Sequence, residues 1–150
     1  MSKTVILCDV KKIFIVICSF LLIILSACNG VGDWVSIELP GRYAIWRINS
    51  RSIVLCLPRE DAPFLADNVV DTYVFEVSYN DDLIFVKRAD VQEDLKEKVD
   101  TSEPEYYVIE VKKEIRYGPF DTAQFEDFLM KLRYSEPLNW VSVTELDRTF

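Results

Sequence analysis

The stretch TYVFEVSYNDDLIFVK, residues 72–87, reads as two strands and the turn between them. Thr72 to Tyr79 is rich in aromatic and β-branched side chains, which suit a pleated, half-buried surface. Asn80-Asp81-Asp82 supplies side chains comfortable where a tight turn needs positive φ, and Leu83 to Lys87 returns as a second apolar run. Upstream, Pro40-Gly41 marks a turn. From there Tyr43, Ile45 and Arg47 alternate with Ala44, Trp46 and Ile48, and Asn49-Ser50-Arg51-Ser52 reverses the chain into Ile53 to Leu57. Downstream, Tyr106 to Val111 turns at Lys112-Lys113 and returns through Ile115 and Tyr117 to Gly118-Pro119. Three successive hairpins of this kind describe an antiparallel β-meander of about six strands.

The clearest helix begins at Asp121. Its carboxylate can accept from first-turn amides, Gln124 three residues on completes a capping box, and Phe120 and Phe125 hold the two positions of a hydrophobic staple. Phe125, Phe128, Leu129 and Leu132 share one face, Lys131 and Arg133 suit the C-terminal end of the dipole, and the helix ends before Pro137. That apolar face is the right width to cover one side of a sheet. Between the second and third hairpins, Ala89 to Glu105 is mostly charged, with Val91, Leu95 and Val99 at helical spacing and Asp94 and Lys98 able to support a short surface helix. Leu138 to Val143 can add a last strand with Trp140 and Val141 on the sheet or its edge. The fold class expected is α+β, a meander with one C-terminal amphipathic helix packed on it, and a chain of 150 residues is long enough for one such domain.

The first thirty residues have another character. Lys11 and Lys12 precede an apolar run from Ile13 to Leu25 broken only by Cys18 and Ser19, the charged and hydrophobic regions of a secretory leader. Counted through Ala27 the run is about fifteen residues, short of the ~20 that a permanent span needs. Leu25-Ser26-Ala27-Cys28 then resembles the lipobox of bacterial lipoprotein precursors: an aliphatic residue, two small residues and cysteine. The resemblance implies cleavage between Ala27 and Cys28 and acylation of the Cys28 thiol, hence attachment to a membrane at its extracytoplasmic face. Two or more acyl chains make such an anchor stable. The organisation expected is a leader over 1–27, lipidated cysteine and short polar tether over 28–33, and a single extracytoplasmic domain over 34–150.

With Cys8 and Cys18 in the leader and Cys28 lipidated, only Cys56 stays in the domain, so it holds no internal disulfide. Following Ile53-Val54-Leu55, Cys56 reads as a small buried hydrophobe. The chain carries 17 Lys and Arg against 25 acids, and cleavage before Cys28 leaves 14 against 24, a formal charge of −10. Such a balance argues against nucleic acid as a partner and against adhesion to anionic headgroups, and it suits a cationic partner.

There is no histidine, which removes the commonest general base, the usual zinc signatures and any Ser-His or Cys-His nucleophile. Four glycines, at 30, 32, 41 and 118, cannot build a phosphate loop. No catalytic residue, metal ligand set or cofactor site is assigned. Paired acids such as Asp81-Asp82 and Glu60-Asp61 stand in expected turns, where solvated charge is the ordinary state. Arg42, Trp46, Arg47 and Arg51 are the one concentration of arginine and aromatic character in the domain and form its candidate interaction patch.

Leu39-Pro40-Gly41-x-Tyr43 running into Trp46-Arg47-Ile48-Asn49-Ser50, and Tyr107-x-Ile109 running through Gly118-Pro119-Phe120 to a helix bearing Phe125, are together similar to a family of small, uncharacterised Gram-positive lipoproteins. That family carries a domain of unknown function, so the resemblance implies secretion and an α+β build and brings no activity. The function expected is a non-enzymatic binding module at the cell surface, with a protein or envelope component as partner. Its rivals are a carboxylate-dependent hydrolase of the envelope, which requires two convergent acids of raised pKa, and an immunity or exclusion lipoprotein.

Overall fold

The computed structural model describes residues 35–62, 64–91 and 99–146. The leader, Ala27, Cys28 and the tether lie outside the described residues, as does most of the expected surface helix between Val91 and Val99. Residues Asp33–Phe150 group as one compact unit. It contains strands β1 (Val35–Glu38), β2 (Ala44–Asn49), β3 (Ser52–Pro58), β4 (Ala66–Val70), β5 (Val74–Tyr79), β6 (Leu83–Arg88), β7 (Glu105–Glu110), β8 (Ile115–Phe120) and β9 (Val141–Ser142), with helices α1 (Thr122–Leu132) and α2 (Val143–Leu146). All pairings are antiparallel, in two sheets of order β1-β2-β3-β4 and β8-β7-β6-β5-β9.

The three hairpins are β2–β3, β5–β6 and β7–β8, and the first two are closed by the same device. Asn49 Oδ1 accepts from the Arg51 and Ser52 amides at 2.9 and 2.8 Å, and Asn80 Oδ1 accepts from the Asp82 and Leu83 amides at 3.0 and 2.9 Å. Each asparagine thereby satisfies turn amides that the strands cannot. The third hairpin turns through a 3₁₀ segment, Val111–Lys113, and Glu114 leaves it in the left-handed region. The meander is divided between two sheets because its strands bury different numbers of faces. Ile84, Phe85 and Val86 are consecutive and all fully buried, as are Val108 and Ile109 beside them. A strand covered on both sides loses the alternation that a one-sided sheet would show.

The inner layer is one apolar cluster drawn from both sheets: Ile37, Ile45, Ile53, Leu55 and Val70 of the first meet Val74, Val77, Ile84, Val86 and Ile109 of the second, with Val143 beside them. On the other side of the second sheet, Phe85 and Val108 pack with Phe125 of α1 and with Tyr106, Phe128, Leu129 and Trp140. The capping box of α1 is complete, with Gln124 N donating to Asp121 Oδ1 at 2.8 Å and Asp121 N to Gln124 Oε1 at 3.0 Å. The staple is displaced by one turn: Phe120 lies against Phe128 at 4.9 Å, whereas Phe125 stacks on Tyr106 at 4.5 Å. Leu132, in the last turn of α1, is 41% exposed, so the covering face of the helix ends at Leu129. Trp140 receives Lys87 Nζ over its ring at 4.3 Å, and β9 then adds Val141 and Ser142 to the edge of β5.

Cys56 is fully buried, its thiol donating to Ala44 O at 3.3 Å, and burial pushes its pKa up to about 12. At pH 9 such a thiol is ionised in roughly one molecule per thousand, so alkylation of the folded domain is expected to be slower than in urea by two orders of magnitude or more. Mass spectrometry after timed iodoacetamide treatment reads this. Equal rates would place Cys56 at the surface.

Candidate interaction surface

The first sheet has two unlike faces. Ile45 and Ile53 point to the inner core, while Ala44, Val54 and Cys56, with Trp46 and Ala66 against them, form a separate apolar cluster on the outer face. Every member of that outer cluster comes from the first sheet itself, whereas the outer face of the second sheet is covered by α1.

The expected patch is divided by this geometry. Trp46 pairs with Val54 and lies with the outer cluster, but Arg47 pairs with Ile53 and lies on the inner side at the end of the strand. Consecutive strand residues face opposite ways. Arg51 stands in the β2–β3 turn and lines a hollow of about 730 Å³ with Tyr73, Phe75, Glu76, Ser142 and Thr144. Arg42 and Trp46 are brought together: they line a depression of about 480 Å³ on the outer face, together with Glu38, Leu39, Tyr43 and Pro58.

Arg42 belongs to a 3₁₀ turn, Pro40–Arg42, in which Gly41 has φ of 68° and a Cβ at that position would lie 2.2 Å from Val111 Cγ1. Glycine is required both for the backbone angle and for the approach of the two turns. The turn aims the Arg42 guanidinium at Glu60 Oε1, 2.7 Å away, and Glu114 Oε1, 3.6 Å away. These groups are half-exposed or more, so each pair contributes at most about 1 kcal/mol and mainly sets the side chain's direction. Burial first, and the Glu114 carboxylate second, raise the Tyr43 phenol above its ordinary value, with Arg42 opposing. Tyr43 therefore presents a neutral hydroxyl.

Beyond Pro58 the chain forms a loop held by Arg59 N donating to Leu65 O at 2.9 Å and Leu65 N donating to Ala62 O at 2.8 Å. At its tip Phe64 is 87% exposed and Leu65 56%. Sequence reading overlooked this pair. The signal was an apolar couple in a segment bounded by Pro58 and set among Glu60, Asp61 and Asp67, with no strand or helix pattern to account for it.

The cavities do not assemble an acid pair free for chemistry. Glu76 is the one carboxylate lining the 730 Å³ hollow, and it accepts from Lys87 Nζ at 2.6 Å. A hollow of about 610 Å³ is lined by Glu103, Glu105 and Asp121, yet Glu105 is bound to the Arg88 guanidinium and Asp121 caps α1. Asp67, Asp100 and Glu110 are displaced downward, by Arg59, the Ser102 amide and Lys113 respectively, away from the direction a general acid needs. Among the described residues there is no group of three or more Cys, Asp or Glu placed to hold a metal ion, and no helix long and apolar enough to cross a membrane.

These features define a two-sheet antiparallel α+β domain, helix-covered on one outer face and carrying an aromatic depression on the other. The chain belongs to the family described as Protein of unknown function (DUF3997), which matches residues 40–144. The matched region runs from the Pro40–Arg42 turn into the start of α2, and so takes in both the depression and the helix. Comparison with curated proteins and with solved structures gives no match.

Proposed function

We propose that the chain is an extracytoplasmic, lipid-anchored binding module that acts through the outer face of its first sheet. The observation that carries the reading is the unequal treatment of the two outer faces: α1 closes one, while the other keeps Trp46, Leu39 and Pro58 around a depression with Arg42 and Glu38 at its margin. Aromatic and arginine side chains around an apolar hollow are the usual makings of a protein-recognition surface. The Leu25-Ser26-Ala27-Cys28 lipobox supports the location, and the tether beyond Cys28 would hold the domain near the bilayer.

Protease added to intact cells tests the location. A chain displayed outside is expected to lose its domain within the time that a cytoplasmic marker survives untouched. Full protection until the cells are lysed would refute the proposal. The hydrolase reading is the weaker of the alternatives, because the acids gathered at the hollows are already committed to Lys87, Arg88 and the N-terminus of α1.

A further inference from the structure

We infer that the outer depression and the Phe64 loop form one docking surface, and that its occupant is a basic, amphipathic polypeptide segment of another protein. The inference rests on the binding-module reading above and supplies the chemistry of the partner. Continuity comes first. Pro58 lines the depression and leads directly into the loop that ends at Phe64 and Leu65, and Glu60 of that loop is held by Arg42 of the depression's margin. The apolar floor beneath Trp46 and the projecting Phe64 thus belong to one side of the molecule.

Charge decides the partner. Around this apolar ground stand Glu38, Glu60, Asp61 and Glu114, and the cation set among them, Arg42, is already directed at Glu60 and Glu114. A ligand with an apolar side and several Lys or Arg would bury its apolar side against Trp46, Leu39 and Phe64 and meet the carboxylates at the edge. An acidic ligand would be repelled by the same groups.

Placement is favourable for a macromolecule. β1 enters the sheet at Val35 and runs toward Glu38, and the pairings Glu38 with Ala44 and Pro58 with Ala66 put the whole surface at the end remote from Val35. In a lipid-anchored chain, that end is the one turned away from the attachment point.

The test is a titration of the full chain, purified in a non-ionic detergent, with a lysine- and leucine-rich peptide and with the same peptide carrying glutamate for lysine. The lysine peptide is expected to bind saturably at one site, and the glutamate peptide is expected to show no saturable binding. The joint change Glu38→Gln with Glu60→Gln should weaken the lysine peptide about tenfold, and Phe64→Ser should do the same without touching the core. Glu126→Gln, an exposed acid on α1, should change nothing. Equal affinity for the two peptides, equal weakening by Glu126→Gln, absence of saturable binding, or sedimentation as a dimer whose interface is broken by Phe64→Ser would each overturn the inference, the last in favour of a second copy as occupant. The titration is indifferent to where the cell places the chain, so its failure and a failure of the surface-protease test are separate results.

Discussion

Replacing Phe85 with alanine is expected to destabilise the domain by about 3–5 kcal/mol, enough to remove a third or more of the stability of an ordinary domain. Phe85 is fully buried at the centre of the second sheet, with its ring 6.3 Å from that of Phe125 and 4.9 Å from that of Tyr134. Its removal leaves a cavity between sheet and helix that neither rigid layer can close, and it also deprives Phe125 of its edge-on partner. The comparison that gives the number meaning is Leu132→Ala. Leu132 is 41% exposed, and its loss should cost no more than about 0.5 kcal/mol. Urea unfolding followed by tryptophan fluorescence measures both, with an unchanged slope showing that the midpoint shift is a stability change. If the two variants unfold alike, the helix does not cover the sheet through Phe85.

That contrast also shows which parts of the fold could be read from residues. The turns were legible because Asn49 and Asn80 act locally, each side chain bonding amides two and three residues ahead. The helix start was legible for the same reason, since Asp121 and Gln124 satisfy one another across one turn. The division into two sheets was not, because it depends on which strands find cover on their second face, and Ile84-Phe85-Val86 looks the same as any short apolar run until α1 is laid on it. β4 was missed because Ala66-Asp67-Asn68 carries residues poor in strand propensity. It is held instead at the sheet edge by its ladder with β3 and by the Arg59–Asp67 pair, N to O 2.7 Å. The arginine-aromatic patch was half legible. Adjacent positions such as Trp46 and Arg47 cannot share a strand face, whereas Arg42 reaches Trp46's face only because Gly41 allows the preceding turn. Phe64 and Leu65 escaped because an exposed apolar pair in a loop has no periodicity to betray it.

The change Cys28→Ala is expected to abolish lipid attachment altogether, the largest effect of any single substitution in the chain. In the proposed reading the thiol is the sole point at which acyl chains join the protein, and the cut before residue 28 follows acylation. Alanine at this position would then leave no lipid and an uncut leader. Energetically nothing replaces the lost chains: each buried CH₂ contributes about 0.8 kcal/mol, and one chain alone already gives only marginal binding. The remaining domain, with a formal charge of −10 after residue 27, has no basic cluster to hold it on an anionic bilayer. Labelling growing cells with a radioactive fatty acid and immunoprecipitating the chain should give label in the wild type and none in the variant, which should run larger by its 27-residue leader. A variant that is cut normally and released would mean an ordinary secreted protein. A variant that still carries label would move the attachment to another residue. Cys56 would be a poor candidate for it, since its thiol is buried in the outer cluster, hydrogen-bonded to Ala44 O and held almost wholly protonated.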